Sequence, residues 1–503
     1  MRRPTQVMKF GGTSVGDTSC IERVVKIVRN ALCDGSIAVV VSAMGGVTNR
    51  LIEAANQSRS GNEFAVAEIF AQLRKQHDEA VTALIRTTAR RAGLREKLDK
   101  LFSDAERLCQ NAICLRELTP RTLDAISSLG ERLCAPLVAG ALAEAGVTSH
   151  ALDATELIVT DSYHGGAEPH IELTGARCQA RVAPLLQNGV VPVVTGFIGA
   201  NEEGVLTTLG RGGSDYSATI LGAALDADEV VIWSDVSGLL TADPRLVADA
   251  RSIAEVSYRE AAELAYFGAK VLHPKTLRPV TRSGIPIWIK NTFAPEDPGT
   301  KITPAGRRDA DGVKALAAVR DAALITISGP SAKGIRDALG RTLAAATAVR
   351  ADVLVISQSP PHNDICLVVA SSIAERTVEA LRREFFPELT NKEVEPALSD
   401  AAVSVITLVG ENMRATAEIV ARASAALGQE DVDVLATSQG SSGCSLSFVV
   451  SQQDMKIALE LLHRERGIGG LASTIQESTI QEPPDQAIRE GDWKYEREQA
   501  TAD

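Results

Sequence analysis

The segment MKFGGTSVGD, Met8–Asp17, joins a short apolar run to two adjacent glycines and two hydroxyl residues. Adjacent glycines let backbone N–H groups close around an anion, and Lys9 supplies positive charge, so the segment favours a phosphate-binding loop. Its spacing differs from the common nucleotide loop, GxxxxGK followed by Ser or Thr. Taken alone, the segment leaves an ordinary turn between a strand and a helix as the alternative.

Length and composition exclude several classes of protein. The 503 residues are more than one hydrophobic core usually contains, which predicts two to four domains. Hydrophobic residues make up 45% of the chain and charged residues 23%, as in ordinary globular proteins. The net charge of -12 argues against a nucleic-acid partner, because binding a polyanion needs a concentrated basic surface. The apolar runs are shorter than a membrane span and the N-terminus lacks a signal-peptide core, so no membrane association is expected.

The cysteine pattern indicates a reducing compartment. The eight cysteines are scattered, with no CxxC pair and no histidine at zinc-ligand spacing. Reduced thiols in a cytoplasmic protein are therefore expected.

The first 300 residues alternate short apolar runs with longer amphipathic stretches. The apolar runs are continuous, which is typical of strands buried on both faces, and the amphipathic stretches have helical spacing. Strict alternation of strands and helices predicts a parallel sheet covered on both faces. Residues 62–118 interrupt this order with a long charged stretch without proline, which predicts a helical excursion from the sheet. The clearest strands and helices are AVVVSA (38–43), VVPVVTG (190–196), EVVIWSD (229–235), CIERVVKIVRNAL (20–32) and SATILGAAL (217–225).

A domain boundary and an internal repeat follow. The polar, turn-rich segment PAGRRDADG, Pro304–Gly312, predicts the boundary. After it, three blocks of sequence recur at an offset of 81 residues, so that Gly329 corresponds to Gly410 and Gln358 to Gln439. Three blocks at one offset predict two copies of a small βαβ-type module. The last thirty residues or so are acidic and poor in aliphatic side chains, which predicts a disordered tail.

A second glycine cluster, TTLGRGGSDYSATILGA at Thr207–Ala223, leads from a predicted strand into a helix. Ser214 and Asp215 fall in the first helical turn, whose unpaired N–H groups face whatever the loop binds. Arg211 has the planar geometry that grips a carboxylate at two points. A helix cap without a ligand is the alternative, because Ser and Asp are preferred at N-caps and Gly in turns.

Two further segments carry charged residues near predicted strand and helix ends. WSDVSGLLTADPRL, Trp233–Leu246, continues a buried strand into Ser234 and Asp235, and ligands of open α/β sheets bind at the carboxyl ends of strands. FGAKVLHPKTL, Phe267–Leu277, offers Lys270, although a single lysine is usually a solvated surface charge. Together the four segments predict one site for an anionic ligand.

Five motifs in this order resemble the aspartate kinases of the amino-acid kinase family: KFGGTSV, SAMGGVTN, GRGGSDYSA, SDVSGLLTADPR and YFGAKVLHPKTL. The resemblance runs from about Val7 to Lys301, and the repeats resemble paired ACT regulatory modules. Elements of the repeats look most like the kinase part of the bifunctional aspartokinase-homoserine dehydrogenases. The resemblance implies an α/β fold, a three-layer αβα sandwich with a mostly parallel sheet, followed by two βαββαβ ACT modules.

The resemblance also implies domain boundaries. A catalytic amino-acid kinase domain would occupy residues 1–305 and contain the helical excursion 62–118. The first ACT module would span 313–397, the second 400–470, and the acidic tail 471–503.

Residue roles follow from the resemblance as well. Lys9 would neutralise the transferred phosphoryl group with backbone hydrogen bonds from Gly11 and Gly12, and Asp215 would orient the active-site lysines. Arg211 would bind the α-carboxylate of aspartate and Glu131 its α-ammonium. The implied substrate-binding residues are Thr48, Glu131, Arg211 and Ser214. The implied ATP-binding residues are Lys9, Phe10, Gly11, Gly12, Ser234, Asp235, Leu240, Arg245, Lys270 and Val271.

The implied activity converts ATP and L-aspartate to ADP and 4-phospho-L-aspartate, the first step towards lysine, threonine and methionine. Mg²⁺ would accompany ATP and rest mainly on phosphates, with Asp215 and Asp235 as the candidate carboxylates. His273 and Cys134 are expected to be structural. The alternatives are a kinase for another amino acid, such as glutamate, and an amino-acid sensor with an inert kinase domain.

The repeats predict an effector site. Gln358 and Gln439 follow equivalent apolar strands, and a glutamine amide can donate to a carboxylate and accept from an ammonium group. Caps at the two strand ends are the alternative role. The resemblance favours threonine as the effector, but lysine stays open because neither SQSPPHNDI nor SQGSSGCSL carries the acidic residue that often follows. The ACT modules also imply a homodimer or homotetramer.

Overall fold

The computed structural model describes residues 3–268, 272–307, 312–328, 335–359, 364–390, 395–411, 417–440 and 442–464. The chain divides into two compact units. The first unit contains Met1–Leu240 and Arg251–Arg308, and the second contains Thr241–Ala250 and Asp309–Asp503. The predicted acidic tail lies outside the described residues.

The first unit is built on an eight-stranded sheet with the order β3-β4-β2-β1-β7-β9-β10-β8. Every neighbouring pair is parallel except β9 and β10, so the prediction of a mostly parallel sheet is confirmed. Two short strands, β5 and β6, form a separate antiparallel hairpin. The strands are β1 (Thr5–Phe10), β2 (Ser36–Val41), β3 (Ser149–Leu152), β4 (Val191–Thr195), β5 (Ile198–Ala200), β6 (Leu206–Thr208), β7 (Glu229–Ser234), β8 (Glu255–Ser257), β9 (Ile287–Asn291) and β10 (Thr300–Thr303).

Helices cover both faces of this sheet. Successive side chains of β1 point to opposite faces, so Met8 and Phe10 enter the large core beneath α1, α2 and α6, whereas Lys9 points to the face on which α9 packs. The helices are α1 (Thr18–Ala31), α2 (Val47–Ser60), α3 (Glu63–Leu84), α4 (Thr88–Leu115), α5 (Pro120–Ser127), α6 (Leu129–Glu144), α7 (Ile171–Arg181), α8 (Ala183–Gln187), α9 (Gly213–Ala224), α10 (Tyr258–Tyr266) and α11 (Arg278–Thr281). Short 3₁₀ turns lie at Ala154–Glu156 and Pro274–Leu277.

The helical excursion is formed by α3 and α4, as the sequence predicts. Phe70 of α3 meets Phe102 of α4 edge to face with ring centroids 6.5 Å apart, and both rings are buried. The Arg74 guanidinium stacks on the Phe102 ring and forms an ion pair with Glu106 at 2.9 Å. These polar groups flank the aromatic contact. The pair therefore has its own apolar seam, continuous with the core of the sheet.

Among the residues that the structure describes, one apolar stretch, Pro120–Glu144, is long enough to cross a membrane by length and composition alone. Of its 18-residue window, 83% is buried inside the protein. This burial is typical of a core helix, and α6 packs on β2, β3 and β4.

The second unit contains a six-stranded antiparallel sheet with the order β12-β13-β11-β14-β16-β15. The strands are β11 (Ala315–Ser328), β12 (Val355–Ser359), β13 (Asp364–Ala370), β14 (Glu395–Val409), β15 (Val434–Gln439) and β16 (Ser445–Ser451). The helices are α12 (Ile335–Ala348), α13 (Ser371–Glu384), α14 (Phe386–Thr390), α15 (Ala417–Gln429) and α16 (Met455–Arg464).

This sheet has two halves that share its two long central strands. One half consists of β12, β13, the C-terminal part of β11 and the N-terminal part of β14, and it encloses one apolar core. The other consists of β15, β16, the C-terminal part of β14 and the N-terminal part of β11, and it encloses a second core. Chain order in the first half is βαββαβ. In the second half, the last strand position is filled by residues 315–319, which precede the first half in the chain. The boundaries assigned to the two ACT modules stay a prediction.

The ten-residue segment Thr241–Ala250 enters the second unit from the middle of the kinase sequence. The backbone carbonyl of Thr241 accepts from Leu316 N–H at 2.8 Å, and its side chain bonds to buried His463 at 3.0 Å. Ala242 and Val247 are buried in the core around β14 and β16. The segment is therefore an integral part of the second unit.

Replacing Phe70 by Ala should lower the free energy of unfolding by about 3–5 kcal/mol, because it removes a buried ring and leaves a cavity. Phe64, on the same helix, is 80% exposed, so Phe64→Ala should change the free energy of unfolding by less than about 0.5 kcal/mol. Urea denaturation of both variants measures the difference. Equal losses would show that the seam between α3 and α4 is not packed as described.

Candidate active site

The centre of the candidate site is an ion pair between the two glycine-rich segments. The Lys9 ammonium lies 2.6 Å from Asp215 Oδ1, and the two side chains are only 10% and 14% exposed. Lys9 comes from β1, near its carboxyl end, and Asp215 from the first turn of α9. The structure brings these two residues into contact, while their catalytic roles stay a proposal.

Close packing explains the glycines in both segments. A Cβ on Gly11 would lie 3.3 Å from Lys9 Nζ and crowd the ammonium group. Gly212 has φ of +68°, in the left-handed region that favours glycine, and a Cβ there would lie 2.7 Å from His273 Cβ. The glycines thus leave room for the Lys9 ammonium and the His273 side chain against the backbone.

Several backbone N–H groups of the two glycine-rich segments lack an acceptor among the described residues. Within the described part of the chain, no acceptor is found for the N–H groups of Gly12, Thr13 and Ser14 in the first segment, nor for those of Ser214 and Asp215 in the second. Consecutive unpaired N–H groups and a helix N-terminus together attract anions. The arrangement suits a phosphate chain.

One expected donor is not available. The N–H of Gly11 donates to the carbonyl of Trp233 at 3.2 Å, because the hydrogen bonding between β1 and β7 continues one residue past the strand. The prediction that Gly11 donates to phosphate is therefore wrong for this structure, whereas Gly12 keeps a free N–H.

Glu131, in the first turn of α6, is a buried carboxyl group beside the ion pair. One oxygen accepts from the Ala43 N–H at 3.2 Å, and the other has no hydrogen-bond partner among the described residues. Burial raises the pKa of Glu131 to about 8, although the Ala43 N–H and the charge of Lys9 oppose this shift. The group is thus protonated at neutral pH and would ionise beside an added cation.

The other predicted substrate residues surround the same centre. Thr48, in the first turn of α2, is close to the start of α6, where a Cβ on Gly130 would lie 3.5 Å from its hydroxyl. Ser214 precedes Asp215 and packs against Gly196 at the end of β4. Arg211 is exposed on the turn before α9 and forms no ion pair with any described residue.

The predicted ATP residues divide into three groups. Ser234 ends β7 and donates to Asp235 at 3.0 Å, and Leu240 follows in the same unit, half-buried. Arg245 belongs to the second unit and pairs with Asp243 at 2.7 Å. Lys270 and Val271 lie outside the described residues.

Phe10 is among the predicted ATP-binding residues, but its side chain points away from Lys9 and into the core. Its ring is fully buried and stacks on Trp233, with centroids 6.0 Å apart, in the core on the opposite face of β1 from Lys9. Its carbonyl accepts from Ser42 N–H at 3.1 Å. The alternation of side chains along a strand explains this orientation, since neighbours of a functional residue point away from the site.

The carboxylates fit a magnesium ion held mainly by phosphates. Asp235 is exposed at the carboxyl end of β7, while Asp215 is engaged with Lys9. Within the described ranges, no three His, Cys, Asp or Glu side chains gather into a metal centre. Mg²⁺ usually needs only one or two carboxylates beside nucleotide phosphates, so Asp235 suffices.

Comparisons with known proteins agree with this geometry. The profile of the amino acid kinase family matches residues 4–291, and an ACT domain profile matches residues 406–465. The chain belongs to the amino acid kinase family. The chloroplastic aspartokinase 1 of Arabidopsis thaliana is 31% identical over 466 residues, which cover 92% of this chain and 80% of that protein. The predicted resemblance to aspartate kinases is thereby confirmed.

Bifunctional relatives are longer than this amino acid kinase. The aspartokinase/homoserine dehydrogenase of Haemophilus influenzae is 32% identical over 465 residues, which cover 91% of this chain and 56% of that protein. The chain thus spans a little over half of the length of that relative.

Solved structures support the fold. Aspartokinase III of Escherichia coli in complex with aspartate and ADP, described as the R-state, matches with a TM-score of 0.77 and 30% identity, covering 92% of this chain and 99% of that one. The same enzyme in complex with lysine and aspartate, described as the T-state, matches with a TM-score of 0.70 and 28% identity over 92% of this chain and 99% of that one. The predicted amino-acid kinase fold is confirmed.

Sequence reasoning missed a polar network beside Arg211. Asp124 of α5 is buried and accepts from His164 Nδ1–H at 2.8 Å and from the Thr208 hydroxyl at 2.6 Å. An aspartate on the inner face of an amphipathic helix was the available signal. His273, expected to be structural, accepts from the Lys275 N–H, and burial together with the charge of Arg211 lowers its pKa. Cys134 is fully buried in α6, and burial raises its pKa.

The two predicted effector residues occupy equivalent strand positions. Gln358 is opposite Ile365 in β12 and β13, and Gln439 is opposite Leu446 in β15 and β16, so both pairs obey the same offset of 81 residues. Both glutamines are exposed on strands at the two ends of the sheet order. They lie within strands rather than after them, and effector binding stays a prediction.

Replacing Glu131 by Gln should stabilise the ligand-free protein more at pH 8 than at pH 5. The pKa of Glu131 is raised by folding, so the wild-type protein loses stability as pH rises from the unfolded value of 4.5 to about 8, and glutamine does not. The gain in unfolding free energy should grow by on the order of 3 kcal/mol between the two pH values, measured by urea denaturation.

Glu144 supplies a control of opposite sign. Hydrogen bonding from Thr87 lowers the pKa of Glu144, so Glu144→Gln should reduce stability at pH 8. A pH-independent effect of Glu131→Gln would contradict the assigned protonation.

Proposed function

We propose that this protein transfers the γ-phosphoryl group of ATP to the side-chain carboxyl group of L-aspartate, giving ADP and 4-phospho-L-aspartate. The observation that carries the proposal is the nearly buried Lys9–Asp215 pair among free backbone N–H groups. The relative solved with aspartate and ADP shares the fold over 92% of the chain and supports it.

Phosphoryl transfer depends on positioning and charge stabilisation rather than on covalent chemistry of the protein. Lys9 neutralises charge on the transferred group, and Asp215 holds the ammonium in place at 2.6 Å. The N–H groups of Gly12, Thr13 and Ser14 donate to phosphate oxygens, as do those at the start of α9. These donors are fixed before the reaction, so little reorganisation is needed as charge moves.

The acceptor carries both signs of charge, and the site offers a partner for each. Arg211 binds the α-carboxylate, and Glu131 binds the α-ammonium group. Because Glu131 is buried with one unpaired oxygen, the incoming cation lowers its pKa and ionises it. Thr48 and Ser214 hydrogen-bond the remaining polar edge.

Nucleotide binding is assigned to the end of β7. Ser234, Asp235 and Leu240 border ATP, with Lys270 and Val271 of the neighbouring motif. The aliphatic Leu240 offers no ring for stacking on the base. Asp235 would hold the Mg²⁺ that accompanies ATP, and the ion would offset the charge of the phosphates. Arg245 belongs to the second unit, and its part in ATP binding stays a prediction.

Two alternatives remain testable. A kinase for another amino acid, such as glutamate, would use the same Lys9 but would prefer a longer acceptor. An amino-acid sensor would bind aspartate and effector without turning over ATP. Measuring ADP release with aspartate, with glutamate and without an acceptor separates the three.

Replacing Lys9 or Asp215 by Ala should each lower kcat by about a hundredfold or more, because each change removes preorganised charge. Thermal melting checks that the fold survives. Lys26→Ala on α1 is the control, with unchanged kcat expected because that lysine is exposed away from the ion pair. Near-normal kcat for Lys9→Ala would refute the phosphate role.

Regulation is assigned to the second unit. Its ACT match and duplicated sheet support control by an amino-acid effector, threonine or lysine, bound by Gln358 and Gln439. The relative crystallised with lysine in the T-state supports a lysine-type effector for that protein. Pairing of ACT modules would form a homodimer or homotetramer. The eight free cysteines fit a cytoplasmic location.

Gln358→Ala should weaken inhibition by the true effector while leaving uninhibited kcat unchanged, because its amide no longer pairs with the effector. Allosteric coupling is usually about 1–3 kcal/mol, so the inhibitory concentration should rise severalfold or more. Titration of ATP turnover with lysine and threonine, separately and together, measures this. Unchanged inhibition in both Gln358→Ala and Gln439→Ala would overturn the effector assignment.

A further inference from the structure

We propose that His164 and Asp124 are positioning residues that hold the turn bearing Arg211 for the carboxylate of the acceptor substrate. The proposal rests on the role given to Arg211 under the proposed function. Neither residue reaches the ion pair of Lys9, so they act on acceptor binding rather than on phosphoryl transfer.

Arg211 depends on its backbone for its position. It is exposed, and within the described residues no carboxylate pairs with its guanidinium group. The flanking glycines Gly210 and Gly212 both have positive φ, +76° and +68°. Such a turn has many accessible conformations unless its surroundings fix it, because glycine restricts the backbone least.

The surroundings that fix the turn are the rim loop, which we define as residues Asp161–Glu168. A Cβ on Gly210 would lie 3.0 Å from the carbonyl oxygen of Gly165, so the two backbones are in direct contact. The Ala167 N–H donates to the Thr208 carbonyl at 2.8 Å, two residues before Gly210. The rim loop and the Arg211 turn therefore form one packed layer.

Asp124 forms hydrogen bonds with both parts of this layer. Its Oδ2 accepts from His164 Nδ1–H at 2.8 Å and from the Gly165 N–H at 3.1 Å, both in the rim loop. The same carboxylate accepts from the Thr208 N–H at 3.2 Å and from the Thr208 hydroxyl at 2.6 Å, in the strand that leads to the turn. One buried carboxylate with four donors thus fixes two segments at once.

The far end of the rim loop is also anchored. Glu168 pairs with Lys275 at 3.0 Å and accepts from the Tyr216 hydroxyl of α9 at 3.4 Å. The Asp161 carboxylate accepts from the N–H groups of Tyr163 and Glu168 and closes the loop on itself. His164 is therefore the residue of the rim loop whose side chain donates a hydrogen bond to Asp124. The rest of the loop is held by other contacts.

Loss of the imidazole has a specific consequence. The Asp124 carboxylate would keep three hydrogen-bond donors but lose the largely buried imidazole N–H. This loss would destabilise the packed layer formed by the rim loop and the Arg211 turn. A small misplacement of a substrate-positioning group lowers binding strongly, because the pre-set geometry is lost. Lys9 and Asp215 are held by β1 and α9, so ATP binding and phosphoryl transfer should be unaffected.

The test measures steady-state kinetics of the full chain carrying His164→Ala. The KM for aspartate should rise on the order of tenfold, whereas kcat and the KM for ATP should stay within about twofold. His164→Asn should restore the KM for aspartate, because its side-chain N–H can replace Nδ1–H as the donor. His150→Ala, at an exposed position of β3, is the matched control and should change nothing.

Binding of aspartate by calorimetry gives a readout independent of turnover, and Arg211→Lys separates the two hypotheses. If Arg211→Lys weakens aspartate binding but His164→Ala does not, the positioning role is overturned and the proposed function stands. If neither variant weakens it, the role of Arg211 itself is refuted. Should His164→Ala fail to fold, Thr208→Val removes another donor to Asp124 and must show the same selective loss. Equal effects on aspartate and ATP in that variant would also overturn the proposal.

Discussion

The hydrogen-bonded ladder that holds β1 between β2 and β7 is the constraint on which the catalytic unit depends. In parallel strands the carboxyl ends lie on one edge, so the segments after β1, β2, β4 and β7 are brought together there regardless of their distance in sequence. The ladder extends one residue beyond β1 through Gly11, and this last bond fixes where the free N–H groups begin. A shift of one residue in this register would turn Lys9 into the core and Phe10 into the site.

The positive charge of Lys9 is balanced by direct contact with Asp215 rather than by solvent. The Lys9 ammonium would be costly to bury alone, and Asp215 offsets that cost at 2.6 Å. Glu131 has no such partner, so burial leaves it neutral in the empty protein. The site therefore carries one satisfied pair and one unsatisfied acid, and the second is the group whose state a cationic ligand would change.

Sequence patterns predicted the parts of the fold that follow from local physics. Continuous apolar runs gave β2, β4 and β7, and helical spacing gave α1 and α9, because burial and periodicity act over a few residues. Lys9 lies near the carboxyl end of β1, and Asp215 lies in the first turn of a helix that packs on the same strand, so the glycine-rich motifs of both segments indicated a shared site. The orientation of the Phe10 side chain was not predicted, because a motif does not state which neighbours face the ligand. The partners of Asp124 and the place of Arg245 in the second unit depend on contacts between distant segments, which no local pattern encodes.

The sharing of β11 and β14 makes the two halves of the second sheet inseparable. Each half contains part of both long strands, and the segment at residues 315–319 precedes every other strand segment of this sheet. Cutting the chain between the halves would leave each one with an open sheet edge and part of its core in water. The two halves therefore form a single folding unit, so recombination could not remove, exchange or transplant one half without the other.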